Sequence, residues 1–331
     1  MSTSEKATAP EAPPSSTPAG SIKAKKRPGD IAFSGTALGA GILILLVLAA
    51  TAFFLIGQSI PAMTGDPAEN PILDGESFWS FVGPLIFGTL WSSLIALVIA
   101  TPIAVGIALF ISHYAPRRLA ALLGYVVDLL AAVPSVVFGL WGAIFFSNFL
   151  QPFYVWLNGA VGSWPVFSLF FGGQVSPTGN TILTASLVLA VMILPIMTAI
   201  CREVFLQTPK LHEEAALALG ATRWEMVTMA VLPFARGGMV SGAMLGLGRA
   251  LGETMAVTMV LSGSPIIILQ LLQSGNPLTI PANIALDFPE AYGTGVNALI
   301  ATGLILFIVT FIVNAIARWI VNRRAEFSGA N

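Results

Sequence analysis

Long apolar stretches with few charged side chains alternate with short polar segments along the chain. Charged residues are absent, or limited to one or two, in five windows: residues 31–65, 77–116, 119–201 (only Asp128), 237–286 (only Arg249 and Glu253) and 291–317. A helix needs about 20 mainly apolar residues to cross the hydrocarbon core of a bilayer. Hydropathy and turn residues predict six spans, at about residues 33–57, 84–112, 121–149, 180–200, 238–262 and 296–320. The pattern therefore predicts an all-α, polytopic membrane protein with six transmembrane helices.

The segment between the third and fourth spans, residues 151–180, is rich in glycine and proline. We expect it to be a surface connection, with its tryptophan and phenylalanine residues at the membrane interface. The apolar run 266–272 is too short to cross a bilayer and precedes a Ser-Gly-Asn-Pro sequence. It predicts an interfacial turn or a short helix.

Lysine and arginine occupy alternate connections between the predicted spans. They precede the first span, lie between the second and third and between the fourth and fifth, and follow the sixth; the other three connections contain neither residue. The positive-inside rule then predicts that both termini are cytoplasmic. Residues 1–30, with five prolines among serine, threonine and alanine, predict a disordered cytoplasmic tail. Residues 31–325 remain as the transmembrane domain, and residues 326–331 as a short C-terminal tail.

The composition excludes several classes of function. Of the 331 residues, 56% are hydrophobic and 9% charged, against roughly 25% charged in a soluble protein. The net charge of -1 gives no reason to expect nucleic-acid binding. One cysteine and two histidines form no metal-binding spacing, and neither a phosphate-binding loop nor a catalytic triad is found. We therefore expect no enzyme activity and no cofactor in this chain.

The longest cytoplasmic connection, residues 202–237, is predicted to contain two short helices. Pro209 breaks the chain before the run 211–219, which favours a helix, and Gly220 permits a turn before Thr222 caps a second helix. Apolar residues lie beside charged ones, so the hairpin needs a surface to pack against. It is either an amphipathic connector on the bilayer or a docking element for a soluble partner.

Two charged residues interrupt the predicted fifth span. Arg249 lies 11 residues beyond position 238, about 16 Å into the membrane. Each such charge costs about 2.5 to 3.5 kcal/mol on insertion scales, so neither should face lipid. Arg249 and Glu253 are four residues apart and can pair on one helix face. They either fix helix register or line a polar pathway, where the arginine fork would suit a tetrahedral oxyanion.

The predicted third span contributes three further candidates. Asp128 is the only other charge predicted deep within a span, and could complete a network with Arg249 and Glu253. Pro134 interrupts helical hydrogen bonding, so it and Ser135 either line a pathway or form a purely structural kink.

The cytoplasmic connection resembles the EAA loop of ABC importer permeases. The matching residues are Glu214-Ala215-Ala216, Gly220 after three more residues, Ala230 after a further nine, and Leu232-Pro233. Ala230 departs from the family, which often has isoleucine there. The resemblance implies a coupling helix that inserts into a groove of a separate ATPase, with Leu217, Ala218 and Gly220 at the contact.

Three further stretches resemble the PstC-type permeases of bacterial phosphate importers: residues 88–116, 129–142 and 249–260. The resemblance implies a type I ABC importer permease (MetI-like) fold in the bacterial inner membrane, and ties Arg249 and Glu253 to phosphate transport. It implies four partner subunits: a second, PstA-like permease, two PstB-like ATPases that bind ATP and magnesium, and a PstS-like phosphate-binding protein. A sulfate or molybdate permease and a membrane scaffold or signalling subunit remain as alternatives.

Overall fold

A computed structural model describes the chain from residue 28 to residue 325. Within that range the chain forms thirteen α-helices and no β-sheet, which confirms the all-α class. The helices are α1 (Pro28–Thr64), α2 (Phe78–Leu109), α3 (Arg117–Ala131), α4 (Ser135–Trp141), α5 (Ser147–Val161), α6 (Ser168–Phe171), α7 (Ile182–Leu206), α8 (Lys210–Ala218), α9 (Arg223–Met226), α10 (Leu232–Leu251), α11 (Met255–Val260), α12 (Ile280–Asp287) and α13 (Thr294–Ala325). The predicted tails lie outside the described residues, apart from positions 28–30, which begin α1.

The chain divides into two units, one up to Thr51 and the other from Ala52 onward. In its described part, the first unit is the N-terminal portion of α1, which has no charged residue after Asp30. The second unit contains the rest of α1, all other helices and both candidate sites.

Six helical segments between residues 28 and 325 are long and apolar enough to cross a membrane, which confirms the predicted number. They are Pro28–Thr64, Phe78–Tyr114, Ser135–Val161, Ile182–Leu206, Arg223–Leu251 and Thr294–Trp319. Four overlap their predicted spans closely. The third and fifth are displaced, in each case because the helix is interrupted.

The third membrane helix begins at Ser135, so the predicted span 121–149 is wrong. α3 ends at Ala131 and α4 starts after Pro134, which has no N–H to continue the helix and also restricts the residue before it. α3 is a separate amphipathic helix. Beyond α4, a π-helical turn and α5 continue to Val161, so the first part of the predicted surface connection 151–180 is helical.

α7 is the most buried membrane helix of the second unit. Small residues on α2, namely Ala96, Ala100 and Ala104, recur every fourth position and belong to the same apolar core as α7. On α10, a Cβ at Gly246 would lie 2.8 Å from Sδ of Met197. Small residues thus allow the close helix approach that is typical of membrane interiors.

The segment between α11 and α12 folds back into the protein without forming a helix. Leu271 and Leu272, from the predicted interfacial run, are buried. Asn276 holds the segment in place: its Nδ2 donates to the carbonyl of Gln270 (2.7 Å), and its Oδ1 accepts from the N–H of Ile182 (3.0 Å). The second half of the segment is thus held by core packing and by Asn276, whereas Ile266 and Ile267 at its start are exposed.

Candidate functional site

The predicted fifth span is interrupted between its two charged residues. α10 ends at Leu251, Gly252 is its C-cap, and α11 begins only at Met255. The predicted continuous helix 238–262, with Arg249 and Glu253 on one face, is therefore wrong. Residues 252–254, which include Glu253, are non-helical and lie immediately after the fifth membrane segment.

Glu253 is 8% exposed and directs its side chain at the next helix. The N–H of Ala256 donates to Oε1 of Glu253 at 3.2 Å. The first N–H groups of a helix have no partner within it, and a carboxylate satisfies them with favourable charge. Glu253 thus stabilises the start of α11 after the break.

Arg249 lies one turn before the break and has no counter-charge nearby. Its Nε is buried and has no hydrogen-bond acceptor among the described residues. No ion pair within 4.0 Å joins Arg249 to Glu253 or to Asp128 in the described part of the chain. The predicted charge network is therefore absent, and Arg249 is left with unused donors.

A cavity of about 680 Å³ extends along α10 and includes Arg249 in its lining. From α10 it is lined by Val240, Ser241, Met244, Leu245, Gly248 and Arg249, with Ile196 of α7 and Asn314 and Arg318 of α13. The lining contains two guanidinium groups and no carboxylate, so the cavity attracts anions.

Arg318 is a member of this cavity that the sequence analysis missed as a site residue. Its position at the end of the sixth span made it part of the positive charge that predicts topology. A signal was nevertheless present, because Asn314 and Arg318 are four residues apart and share one face of α13.

The candidates from the predicted third span lie elsewhere. Asp128 is exposed on α3, and α3 precedes the membrane helix instead of belonging to it. Pro134 is exposed at the start of α4 and Ser135 is half-buried. None of these three residues lines the cavity that contains Arg249.

The second candidate site is the turn between α8 and α9, in the segment that resembles the EAA loop. Gly220 adopts φ +88°, a left-handed conformation that residues with a Cβ rarely take. The N–H of Gly220 donates to the carbonyl of Leu217 (3.0 Å), and the N–H of Ala221 donates to that of Ala216 (3.2 Å). These two bonds form a Schellman motif, so the glycine ends α8 with its carbonyls satisfied.

α9 starts immediately after this turn with a capping box. The N–H of Glu225 donates to Oγ1 of Thr222 (3.3 Å), and the N–H of Thr222 donates to Oε2 of Glu225 (2.7 Å). The capping box thus satisfies the backbone N–H groups of both residues.

The inner face of this hairpin packs on the ends of two membrane helices. Met226 and Val227 share a buried apolar cluster with Leu109, at the end of α2, and with Cys201 and Phe205 of α7. A further link is the contact between Nε2 of His113 and Oε1 of Glu213, at 3.5 Å. The hairpin therefore packs directly on α2 and α7.

The outer face of the hairpin is exposed and contains most of the predicted coupling residues. Leu217 is 44% exposed and Leu219 is 89% exposed. Other exposed residues of the predicted set are Glu214, Ala215, Ala218, Gly220 and Pro233, whereas Ala216 and Leu232 are half-buried against the apolar cluster. Exposed apolar side chains on a rigid hairpin form a surface suited to binding a protein.

Among residues 28–325, no three His, Cys, Asp or Glu side chains lie together so as to hold a metal ion. The chemistry that the two sites offer is therefore anion attraction at Arg249 and protein binding at α8.

Comparison with known proteins identifies the family of the chain. Residues 100–326 match the model of the family described as "Binding-protein-dependent transport system inner membrane component". The chain is 46% identical over 309 residues to the phosphate transport system permease protein PstC 2 of Mycobacterium tuberculosis, covering 91% of this chain and 94% of that protein. It is 40% identical over 303 residues to PstC of Xylella fastidiosa, covering 89% and 90%.

A solved structure of a bacterial ABC transporter that imports the acidic polysaccharide alginate shows the same fold. Its TM-score is 0.57 at 17% identity, and the match covers 89% of this chain and 96% of that one. Together with the family match, it confirms the predicted ABC importer permease fold. The chain therefore belongs to the family of inner-membrane components of binding-protein-dependent transport systems and, within it, to the PstC-type permeases.

Proposed function

We propose that this chain is the permease subunit of an ATP-driven importer of inorganic phosphate. The observation that carries the proposal is Arg249, a guanidinium with no counter-charge beside a helix break in an apolar protein. An arginine fork binds tetrahedral oxyanions with several charge-assisted hydrogen bonds. The names of the relatives supply phosphate as the substrate and give no support to the sulfate, molybdate or scaffold alternatives.

The proposed complex contains a second permease, two ATPases and a phosphate-binding protein. The exposed face of α8 docks in a groove of one ATPase, which binds ATP and magnesium and carries out hydrolysis. Because the hairpin packs on α2 and α7, closure of the ATPases would move both helices and change access to Arg249. The binding protein delivers phosphate to the outer loops, and both termini of this chain lie in the cytoplasm.

Reconstituted complex provides the test. In proteoliposomes, Arg249→Gln should reduce ATP-driven phosphate uptake by about 100-fold, because a buried charged donor is worth about 1.5–3 kcal/mol and its loss leaves the anion unpaired. Arg249→Lys, which keeps the charge and loses the fork, should retain more. Arg118→Gln, at an exposed position on α3, removes the same charge outside the cavity and should leave uptake unchanged.

Sulfate and molybdate added as competitors separate the oxyanions. Phosphate uptake that persists in their excess supports the proposal. Normal phosphate uptake by Arg249→Gln would remove the main support for the proposed function. Uptake of sulfate in preference to phosphate would show that the chain belongs to a sulfate importer instead.

A further inference from the structure

Arg318 lies in the same cavity as Arg249, at a different depth. A second cavity, of about 410 Å³, is lined by Gly252 and Thr254 together with Leu306 of α13, so Leu306 lies level with the helix break. Arg318 follows Leu306 by 12 residues, about 18 Å along α13. Arg249 precedes Gly252 by three residues, about 4.5 Å along α10. The backbone positions of the two arginines are therefore about 13 Å apart along the cavity.

Arg318 has no acidic side chain beside it in the described part of the chain, so its charge is available to an external anion. No carboxylate of the described residues lies within 4.0 Å of either guanidinium group. The other seven lining residues carry no charge, and Asn314, one turn before Arg318, adds a side-chain amide donor. A cavity with two fixed positive charges and low-dielectric walls concentrates anions along its length.

We propose that Arg318, with Asn314, forms a second phosphate-binding position in the cavity, which receives the anion after it leaves Arg249. This inference rests on the proposed function, because it concerns the same pathway. Two weak positions in series allow an anion to move on, whereas one strong position would retain it. Because arginine side chains are long, the two guanidinium groups can lie closer to each other than the backbone positions of Arg249 and Arg318 do.

Charge-selective labelling at Ser241 tests the proposal without requiring transport. Ser241 lines the cavity, is exposed, and donates a hydrogen bond to the carbonyl of Gly237 on its own helix (2.9 Å). The one native cysteine, Cys201, is buried. In the assembled complex in nanodiscs, Ser241→Cys is treated with an anionic or a cationic methanethiosulfonate, and labelling is followed on the peptide that contains position 241.

The anionic reagent should react faster than the cationic one. Adding Arg318→Gln should lower this rate ratio by about tenfold, the equivalent of one charge-assisted contact. Arg318→Lys should largely preserve the ratio, and Arg118→Gln should not change it. Millimolar inorganic phosphate should slow anionic labelling when Arg318 is present and not in Arg318→Gln. An unchanged ratio and unchanged protection in Arg318→Gln would overturn the proposal.

A lipid headgroup carries the same phosphate chemistry, so the nanodiscs are prepared with phosphatidylcholine alone or with phosphatidylglycerol added. Protection by inorganic phosphate in phosphatidylcholine alone supports a position for free phosphate. An effect of Arg318 that appears only with phosphatidylglycerol assigns the position to lipid and overturns the proposal.

Uptake assays separate this inference from the proposed function. Arg318→Gln should slow ATP-driven phosphate uptake by about tenfold while the ATPases still co-purify with the permease. If Arg249→Gln blocks uptake and Arg318→Gln leaves both uptake and labelling unchanged, only the second position is wrong. If the parent complex transports no phosphate, the proposed function fails whatever the labelling shows.

Discussion

The turn at Gly220 and the break at Gly252 have the same components and different causes. In each, a helix ends at or next to a glycine, and a glutamate accepts a backbone N–H at the start of the next helix. Glu225, in the first turn of α9, accepts the N–H of the N-cap Thr222, whereas Glu253, which precedes α11, accepts the N–H of Ala256. Gly220 lies on an exposed hairpin, whereas Glu253 is 8% exposed in the membrane domain. Similar local chemistry thus occurs on an exposed hairpin and at a buried helix break.

The two breaks differ in where their stability comes from. At Gly220 the bonds of the Schellman motif join residues within positions 216–221, and those of the capping box join Thr222 and Glu225. At Gly252 the following helix, α11, packs against α4, from which it is more than 100 residues away in sequence. A Cβ at Gly139 of α4 would lie 2.9 Å from Cα of Ala256. The outer turn is locally determined, and the inner break depends on tertiary packing.

Removing the carboxylate at the inner break should have the largest effect. Glu253→Ala leaves the buried N–H of Ala256 without its acceptor, which costs about 1–3 kcal/mol. We expect phosphate uptake by the reconstituted complex to fall about 10- to 100-fold. Glu253→Gln keeps an acceptor oxygen and should retain clearly more uptake. Equal activity of Glu253→Ala and the parent would show that the break does not depend on this cap.

Filling the contact between α4 and α11 tests the tertiary part of the comparison. Gly139→Val places atoms against Ala256 and against Sδ of Met259, also 2.9 Å from a Cβ. Overpacking of this kind costs about 1–3 kcal/mol, and α11 should move away from α4. The expected result is a lower thermal midpoint of the complex and reduced uptake.

Gly106→Val is the matched control, because a Cβ at Gly106 on α2 meets no atom within 4 Å. If both variants unfold at the same temperature and transport equally well, the α4–α11 contact does not hold the inner break in place.

The same distinction explains what the sequence predicted. The helix end at Gly220 and the cap at Thr222 follow from residue types at short spacing, so the hairpin was predicted correctly. The six membrane helices follow from hydropathy, which depends on composition over about 20 residues.

The inner break was not predicted, because no proline marks it and the apolar residues of the wider window 238–262 outweigh Arg249 and Glu253 in the hydropathy. Its position depends on α4, and α4 begins where it does because Pro134 ends the preceding segment. The cavity was missed for a related reason. Arg318 lines the same cavity as α10 because α13 packs beside α10, and residue spacing in the sequence does not predict which helices are neighbours.

A substitution at Gly220 should have the smallest effect on the folded complex and a specific effect on coupling. A Cβ at this position meets no atom within 4 Å, so Gly220→Val adds only the cost of φ +88° for a residue with a branched side chain, about 1–2 kcal/mol. The strain falls on the turn that positions Leu217 and Leu219. We expect the membrane domain to keep its thermal midpoint while phosphate-stimulated ATP hydrolysis and uptake fall together.

Gly220→Asn is the control, because asparagine tolerates the left-handed conformation better than other residues with a Cβ. It should retain most of the coupling that Gly220→Val loses, since both add a side chain of similar size to the exposed surface and only the backbone cost differs. Equal loss in the two variants would mean that the ATPase contacts the glycine surface directly. In that case an added side chain at position 220 would interfere with the ATPase contact itself, and the backbone conformation of the turn would not be the cause.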